Sequence, residues 1–158
     1  MTDYTSLANA IKTTLSADSW LGNSANVKTM EIHRRGFSLQ DPKDGQFFSQ
    51  ADLPAIAIIP NSGPKQQRLA TTNEIRETVF CEIAAVSRDR GLQTGMTVHQ
   101  SLIQNIERVL EKQKSSLNDL GLDAFVQQVS TTENQVKKGE FYYFISTTRA
   151  QIELTAIF

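Results

Sequence analysis

The residue types that most often perform chemistry near neutral pH are scarce in this sequence. There are two histidines, His33 and His99, and one cysteine, Cys81, and none of them falls in an HxxxH or HExxH spacing. A histidine can carry protons at this pH, and it can activate a neighbouring thiol as a nucleophile. The apolar alternation around Cys81 predicts a buried strand position, where a thiol has a raised pKa and is inaccessible. We therefore predict that Cys81 is a small core residue, that His99 is a hydrogen-bonded structural residue, and that His33 lies at the surface.

Motifs for metals and phosphates are also incomplete. A zinc site needs about four nitrogen, sulfur or oxygen ligands, and one cysteine with two distant histidines does not supply a recognisable set. Gly91-Leu92-Gln93-Thr94-Gly95 precedes a predicted helix, but it lacks the ending of a P-loop and the glycine spacing of a Rossmann turn. Asp41, Asp44 and Asp52 lack the regular spacing of a calcium loop. The sequence therefore predicts no enzymatic activity, no cofactor and no metal site.

Length and charge restrict the class of protein further. The chain has 158 residues, and 16 Lys and Arg against 17 Asp and Glu give a net charge of −1. A chain of this length predicts one domain, residues 1–158. The balanced charge argues against a nucleic-acid binder and gives no basic face for anionic lipid. There is no apolar run of about 18–20 residues and no signal-peptide pattern at the N-terminus, and a lone cysteine fits a reducing compartment. We expect a soluble intracellular domain with no membrane partner.

Hydrophobic periodicity predicts seven helices and strands. The two helices have apolar residues at helical spacing, and the strands have either alternating or continuous apolar residues. The predicted stripe of the second helix consists of Met96, His99, Leu102, Ile103, Ile106, Val109 and Leu110. The predicted elements are a helix at 7–15, strands at 27–34, 53–60 and 73–87, a helix at 94–114, and two strands on either side of a hairpin turn at 136–140. The order α-β-β-β-α-β-β predicts an α+β fold, a mainly antiparallel sheet with two helices packed on one face.

Residues 35–52 form a predicted long loop or arm without periodicity. An irregular stretch of about 18 residues is longer than most loops inside a domain, and such loops are often functional or disordered. The arm carries Phe37, Phe47 and Phe48, which a simple linker would not need. The rings either fold back on the core of this domain or contact a neighbouring molecule, and the sequence leaves both open.

Basic residues come as pairs near turns, each with an acidic residue nearby. Arg34 and Arg35 precede the arm, and two further pairs lie at 88/90 and 137/138. These charges are either solvated or form ion pairs between subunits, for which arginine is well suited.

Three strands resemble those of a known family. Ala51-Asp52-Leu53-Pro54-Ala55-Ile56-Ala57-Ile58 resembles the acidic-apolar-Pro-Ala-Ile strand of the tail terminator family of long-tailed bacteriophages, typified by the minor tail protein U of lambda. Residues 77–83 occupy the place of the family's alternating second strand, and residues 146–155 resemble its closing strand. The opening helix and the amphipathic helix complete the family's order of elements, so the resemblance covers most of the chain.

The resemblance implies a structural phage or prophage protein without catalytic residues. Members of the family assemble as hexameric rings on the head-proximal end of the tail tube, stop tube polymerisation and allow head–tail joining. The implied partners are further copies of the chain, the tail tube protein and a head-completion or connector protein. The implied location is the head–tail junction of the virion, after assembly in the bacterial cytoplasm. A head–tail adaptor or tail-completion neck protein, and a small binding domain outside virions, are the alternatives.

A ring needs two different complementary surfaces on each subunit. We predict that the arm provides one of them, through Arg34, Arg35, Phe37, Phe47 and Phe48, and that an exposed strand edge provides the other.

Replacing Phe47 and Phe48 with serine is expected to leave the monomer folded, as measured by circular dichroism, and to weaken ring formation, as measured by light scattering. Unfolding of this variant would instead place the two rings in the core.

Overall fold

The computed structural model describes residues 4–32, 53–60, 66–71, 74–112 and 124–157. The α+β class is confirmed, and the predicted order is matched by all elements except β3, a short strand that the structure adds. The elements are α1 (Tyr4–Ala17), β1 (Thr29–Ile32), β2 (Ala55–Ile59), β3 (Gln66–Thr71), β4 (Glu74–Asp89), α2 (Leu92–Lys112), β5 (Ala124–Lys138) and β6 (Phe141–Ile157).

The strands form one mainly antiparallel sheet in the order β1-β2-β4-β6-β5, with β3 paired to β4 beside this path. Only the β1–β2 pair is parallel among the described strands. The 16-residue strand β4 is the central element. One of its edges pairs with β6 over its whole length, and the other edge pairs with β3 in its first part and with β2 in its last part. The long β4–β6 pair is therefore the frame to which the other strands are attached.

Both helices pack on one face of this sheet, as predicted. The sequence assigns alternate residues of β4 to the apolar side, and four of them, Val79, Cys81, Ile83 and Ala85, belong to the core cluster under the helices. Helix α1 contributes Leu7, Ile11 and Leu15, and α2 contributes Leu102, Ile106, Val109 and Leu110. Burial of one large aliphatic side chain contributes about 1.5–3 kcal/mol, so this cluster is the main source of stability.

The opposite face of the sheet also carries buried apolar side chains. All five residues of β2 are buried, as expected of a strand whose apolar residues are continuous and not alternating. On this second face, the cluster consists of Leu53, Ala55, Ala57, Ile59, Ala84, Val86, Tyr143 and Ile145. Both described helices contribute to the first cluster and neither contributes to this one. The two faces of the sheet are therefore buried in different ways.

The end of α1 is fixed to α2 through one carboxylate. Asp18 accepts hydrogen bonds from the backbone N–H groups of Trp20 and Leu21, at 3.2 and 3.1 Å, and from Arg108 of α2, at 2.8 Å to each carboxylate oxygen. Burial raises the pKa of Asp18, but the hydrogen bonds from Arg108 and Leu21 outweigh it, so the pKa lies below its usual value. The chain turns sharply here: a Cβ on Gly22 would lie 2.8 Å from the carbonyl oxygen of Asp18.

Helix α2 has the predicted apolar stripe with one difference. Gly95 is buried in the stripe, whereas Met96 is 40% exposed. A Cβ on Gly95 would lie 2.7 Å from Cζ of Phe144, so the glycine lets the helix approach the sheet closely. Met96 follows at about 100° around the helix, and this rotation takes it from the packed face to the flank. The assignment of Met96 to the core stripe was therefore wrong.

The β5–β6 hairpin has a tighter turn than predicted. The strands remain paired as far as Lys138 and Phe141, which leaves only Gly139 and Glu140 in the loop. Gly139 has a φ of 65°, a conformation that glycine adopts without a steric penalty. Glycine at the first position of a two-residue hairpin loop is typical of a type II′ turn. The predicted hairpin is thus confirmed. Its turn is shorter than the predicted turn at 136–140, and the strands are correspondingly longer.

Candidate functional site

The predicted interface on the arm lies outside the described residues. Arg34, Arg35, Phe37, Phe47 and Phe48 all fall between Ile32 and Leu53, where the structure gives no description. Their role at a subunit interface stays a prediction.

The structure confirms that Cys81 is a core residue. Its side chain is fully buried on the helix face of β4, and Sγ lies 3.2 Å from the carbonyl oxygen of Pro60. Burial raises the pKa of the Cys81 thiol to about 12. Because the thiolate is the nucleophile, Cys81 is chemically inert near neutral pH. His33, the predicted surface histidine, lies outside the described residues.

The structure also confirms a structural role for His99. The residue is 3% exposed, its Nδ1 lies 2.7 Å from Oγ of Ser87, and its ring stacks on Phe144 with centroids 6.0 Å apart. Burial lowers the pKa of His99 to about 4, so the imidazole is neutral at pH 7. Its Nε2 is buried and has no hydrogen-bond partner within the described residues. A group with this pKa is poorly matched to proton transfer near neutral pH.

The other candidate motifs have structural roles. Gly91 donates a hydrogen bond to Oδ1 of Asp89 at 2.7 Å and accepts one from the backbone of Gly95 at 3.0 Å, so this segment is the turn that enters α2. Within the described ranges, no group of three or more His, Cys, Asp or Glu side chains is placed to hold a metal ion. Neither described helix is long and apolar enough to span a membrane.

Basic side chains near the hairpin pack on aromatic rings of the same chain. The guanidinium groups of Arg88 and Arg90 lie 4.3 and 5.4 Å from the ring centroid of Phe141, and the ammonium group of Lys137 lies 5.3 Å from that of Tyr142. Cation–π contacts at exposed sites contribute about 0.5–1 kcal/mol each. These contacts give three of the basic residues a role within their own chain.

The most prominent unpaired surface of the described sheet is the outer edge of β5. In the described sheet, this 15-residue strand pairs with β6 alone and ends the strand order. Its central stretch, residues 130–136, has neither proline nor glycine, and Glu133 is its one charged residue. Edge strands normally carry devices that prevent pairing with another chain, such as proline, charge, a bulge or short length. The bulge near Val126 and the lysines at 137 and 138 protect the two ends of β5, so Glu133 is the one such device in its central stretch.

The opposite end of the strand order has a different edge. Strand β1 has only four residues and pairs with β2 in parallel. Its Met30 packs against the core, whereas Ile32 is 38% exposed. Ile32, Met96 and Val98 are the exposed large apolar side chains among the described residues. One of the three therefore lies on the β1 edge.

A cavity of about 340 Å³ lies between α2 and the β5 edge. Its lining combines apolar and aromatic side chains from α2 and β6 with polar residues of β5. The lining residues are Met96, His99, Gln100, Glu133, Asn134, Gln135 and Phe144. Gln100 donates a hydrogen bond to Glu133 across the cavity wall, which ties the helix to the edge strand. The cavity thus lies directly beside the free edge of β5.

A larger depression, of about 500 Å³, lies along the other end of α2. It is lined by Gln104, Glu107, Arg108, Glu111 and Lys112, which are half-buried or exposed. Such a solvated, mainly charged surface has no buried group that would fix a ligand. We therefore treat the β5 edge and its cavity as the candidate functional site, suited to binding a polypeptide strand.

Comparison with known proteins gives no family assignment. No protein-family model and no curated protein matches the sequence. One solved structure similar to this chain is a chain from the virion of the native gene transfer agent (GTA) particle. The alignment has 14% identity and a TM-score of 0.47, and it covers 93% of this chain and 94% of that chain.

Proposed function

We propose that this protein is a structural component of a phage or prophage virion, and specifically a tail terminator. In this role it forms a ring on the head-proximal end of the tail tube, ends tube polymerisation and allows the head to join. The proposal assigns no catalytic step and no cofactor. The observation that carries it is the presence of two unlike strand edges, β5 and β1, at opposite ends of one sheet.

Two unlike edges favour a cyclic assembly. A two-fold dimer uses the same surface on both subunits, whereas a ring joins one surface of each subunit to a different surface of the next. A strand of one subunit added to the sheet of its neighbour provides such a contact, because backbone hydrogen bonds give affinity and side-chain pockets give specificity. In the described sheet, β5 offers 15 residues of edge, and its central part carries a single charged residue, Glu133.

The resemblance to tail terminators is concentrated in the middle of the sheet. The segments 51–58 and 146–155 contribute to β2 and β6, and residues 77–83, which resemble the family by their place in the order of elements, lie in β4 between them. The similarity therefore lies in contiguous strands and not in scattered pieces. Strand patterns of this kind belong to the central strands of the sheet. The edge strands can therefore differ between members of one family.

A ring of this kind stops a polymer without using a reactive side chain. One face of the ring binds the last layer of tail tube protein, and the other face does not reproduce the surface that a further tube subunit requires. The same outer face is then free to bind a head-completion or connector protein. On this proposal the protein is assembled in the host cytoplasm and remains at the head–tail junction of the virion.

Deletion of the gene from its phage or prophage tests this role. We expect electron microscopy of the lysate to show filled heads beside unattached tails of abnormal and variable length, because the tube would have lost its stop. A plasmid copy of the wild-type gene should restore normal particles, which excludes a polar effect of the deletion.

Two other outcomes would contradict the terminator role. Tails of normal length that fail to join heads would identify a head–tail adaptor or tail-completion protein. Fully normal virions would exclude a role in assembly and leave the small binding domain as the explanation.

A further inference from the structure

We propose that the cavity beside β5 is a socket for Ile32 of a second copy of this chain, whose β1 edge pairs with β5. The inference rests on the proposed ring and names the contact that closes it. Each chain would carry one anchor, Ile32, and one socket, so the contact repeats from subunit to subunit in one direction.

The pleat of the sheet puts the anchor and the socket on the same face. Ile32 is in register with Ile58, a member of the core cluster under the helices, so Ile32 lies on the helix face of β1. Gln135 is in register with Phe144, whose ring lies against α2 at Gly95 and His99. Since neighbouring residues in register share a face, Gln135 also lies on the helix face. A sheet that continues from β5 into the β1 of the next subunit therefore brings Ile32 to the cavity.

The lining of the cavity fits an aliphatic side chain. Phe144 and the neutral ring of His99 are buried in its wall, and Met96 lies at its side with 40% of its surface exposed. Methionine adapts its shape to a partner because it is unbranched and flexible. Ile32 is itself 38% exposed. The contact would thus bury two of the three exposed large apolar side chains of the described chain.

Ile32 of the same chain does not reach the cavity. β1 and β5 are separated by β2, β4 and β6. At about 4.8 Å between neighbouring strands, four spacings place the two edges about 19 Å apart. Ile32 can therefore enter this cavity only from another molecule, and a second copy offers the matching strand edge with its apolar residue on the correct face.

Cysteine crosslinking tests the contact in the full-length chain. In the double variants Ile32→Cys/Glu133→Cys and Ile32→Cys/Gln135→Cys, oxidation should produce a covalent ladder above the dimer on a non-reducing gel, in at least one of the two. Each single variant should give no species above a dimer. The native Cys81 does not compete because it is fully buried.

Ile32→Cys/Thr132→Cys is the matched control. Thr132 is exposed on the same strand, but it is in register with Thr147 and lies on the opposite face. It should give no ladder. A ladder of equal yield from this control, or no ladder from either test variant although the wild-type chain forms rings by light scattering, would overturn the socket and leave the ring intact.

A substitution of the anchor provides a second measurement. Ile32→Asp should raise the protein concentration needed for ring formation at least tenfold, while Ile32→Leu should stay close to wild type. Circular dichroism should show both variants folded, because Ile32 is exposed in the monomer. Ring formation by Ile32→Asp at the wild-type concentration would overturn the socket. The proposed function itself would fail in a different way, through normal virions after deletion of the gene.

Discussion

The free energy of unfolding should fall by about 3 kcal/mol between pH 7 and pH 4 because of His99 alone. Burial lowers the pKa of His99 to about 4, from a usual value of 6.5. Between these two values the unfolded chain binds a proton that the folded chain does not, so stability decreases as the pH falls. The difference of about 2.5 pH units corresponds to about 3 kcal/mol at 1.36 kcal/mol per unit.

The measurement compares two proteins across this pH range. Urea unfolding of wild type and of His99→Gln should give different slopes of stability against pH, with the shallower slope in the variant. All other titratable groups are common to both proteins, so the comparison isolates His99. Equal slopes would mean that His99 becomes protonated in the folded protein with an ordinary pKa.

The sequence predicts the central strands and the second helix well because burial leaves a clear pattern there. β2 is apolar throughout and lies buried on both faces, and β4 alternates in the manner expected of a strand beneath helices. The buried stripe of α2 differs from the predicted stripe at two positions. Gly95 belongs to it although it was not predicted, and Met96 does not belong to it. A glycine looks like a gap in an apolar stripe, although here it marks the closest approach of the helix to Phe144.

The edge elements could not be predicted in the same way. β3 has the sequence QQRLAT, in which two of six residues are apolar, and its strand conformation depends on pairing with β4. Most of β5 is polar, with Gln, Ser, Thr and Asn through its middle. Its length follows from continuous pairing with β6. Propensity is a weak guide where a neighbouring strand determines the conformation.

The cavity was also invisible in the sequence. It is formed by Met96 and Gln100 on α2 together with Glu133 and Gln135 on β5, more than 30 residues apart in the chain. The exposed position of Met96 depends on the rotation of the helix over the sheet. The one available signal was the prediction that an exposed strand edge contributes to a ring, which did not specify which edge.

The described part of the chain buries two candidate catalytic groups and leaves a long strand edge unpaired. Cys81 and His99, two of the three side chains most suited to catalysis by type, are both buried and have pKa values far from neutral, and the third, His33, lies outside the described residues. The central stretch of β5, in contrast, is exposed and lies beside a cavity.

Replacing Gly95 with alanine should destabilise the protein by about 1–2 kcal/mol. On helix propensity alone, this change in an α-helix would stabilise the protein by up to about 1 kcal/mol. However, the added Cβ would lie 2.7 Å from Cζ of Phe144 and 2.9 Å from Cβ of Asp89. Overpacking of a core typically costs about 1–3 kcal/mol. Phe144 is 4% exposed and stacks on His99, so a shift of its ring into the adjoining cavity would disturb that packing. The steric cost should therefore exceed the gain in propensity.

Gly91→Ala is the matched control for this prediction, because the nearest atoms to a Cβ at Gly91 lie at 3.5 Å, an ordinary contact distance. Its stability should stay within about 0.5 kcal/mol of wild type.

A smaller side chain at 144 should relieve the clash, so Phe144→Leu should cost less in the Gly95→Ala background than in wild type. Additive effects of the two changes, measured by urea unfolding, would show that Gly95 does not hold α2 against Phe144. A stabilised Gly95→Ala protein would show that the helix moves freely over the sheet, and the wall of the socket would then not be rigid.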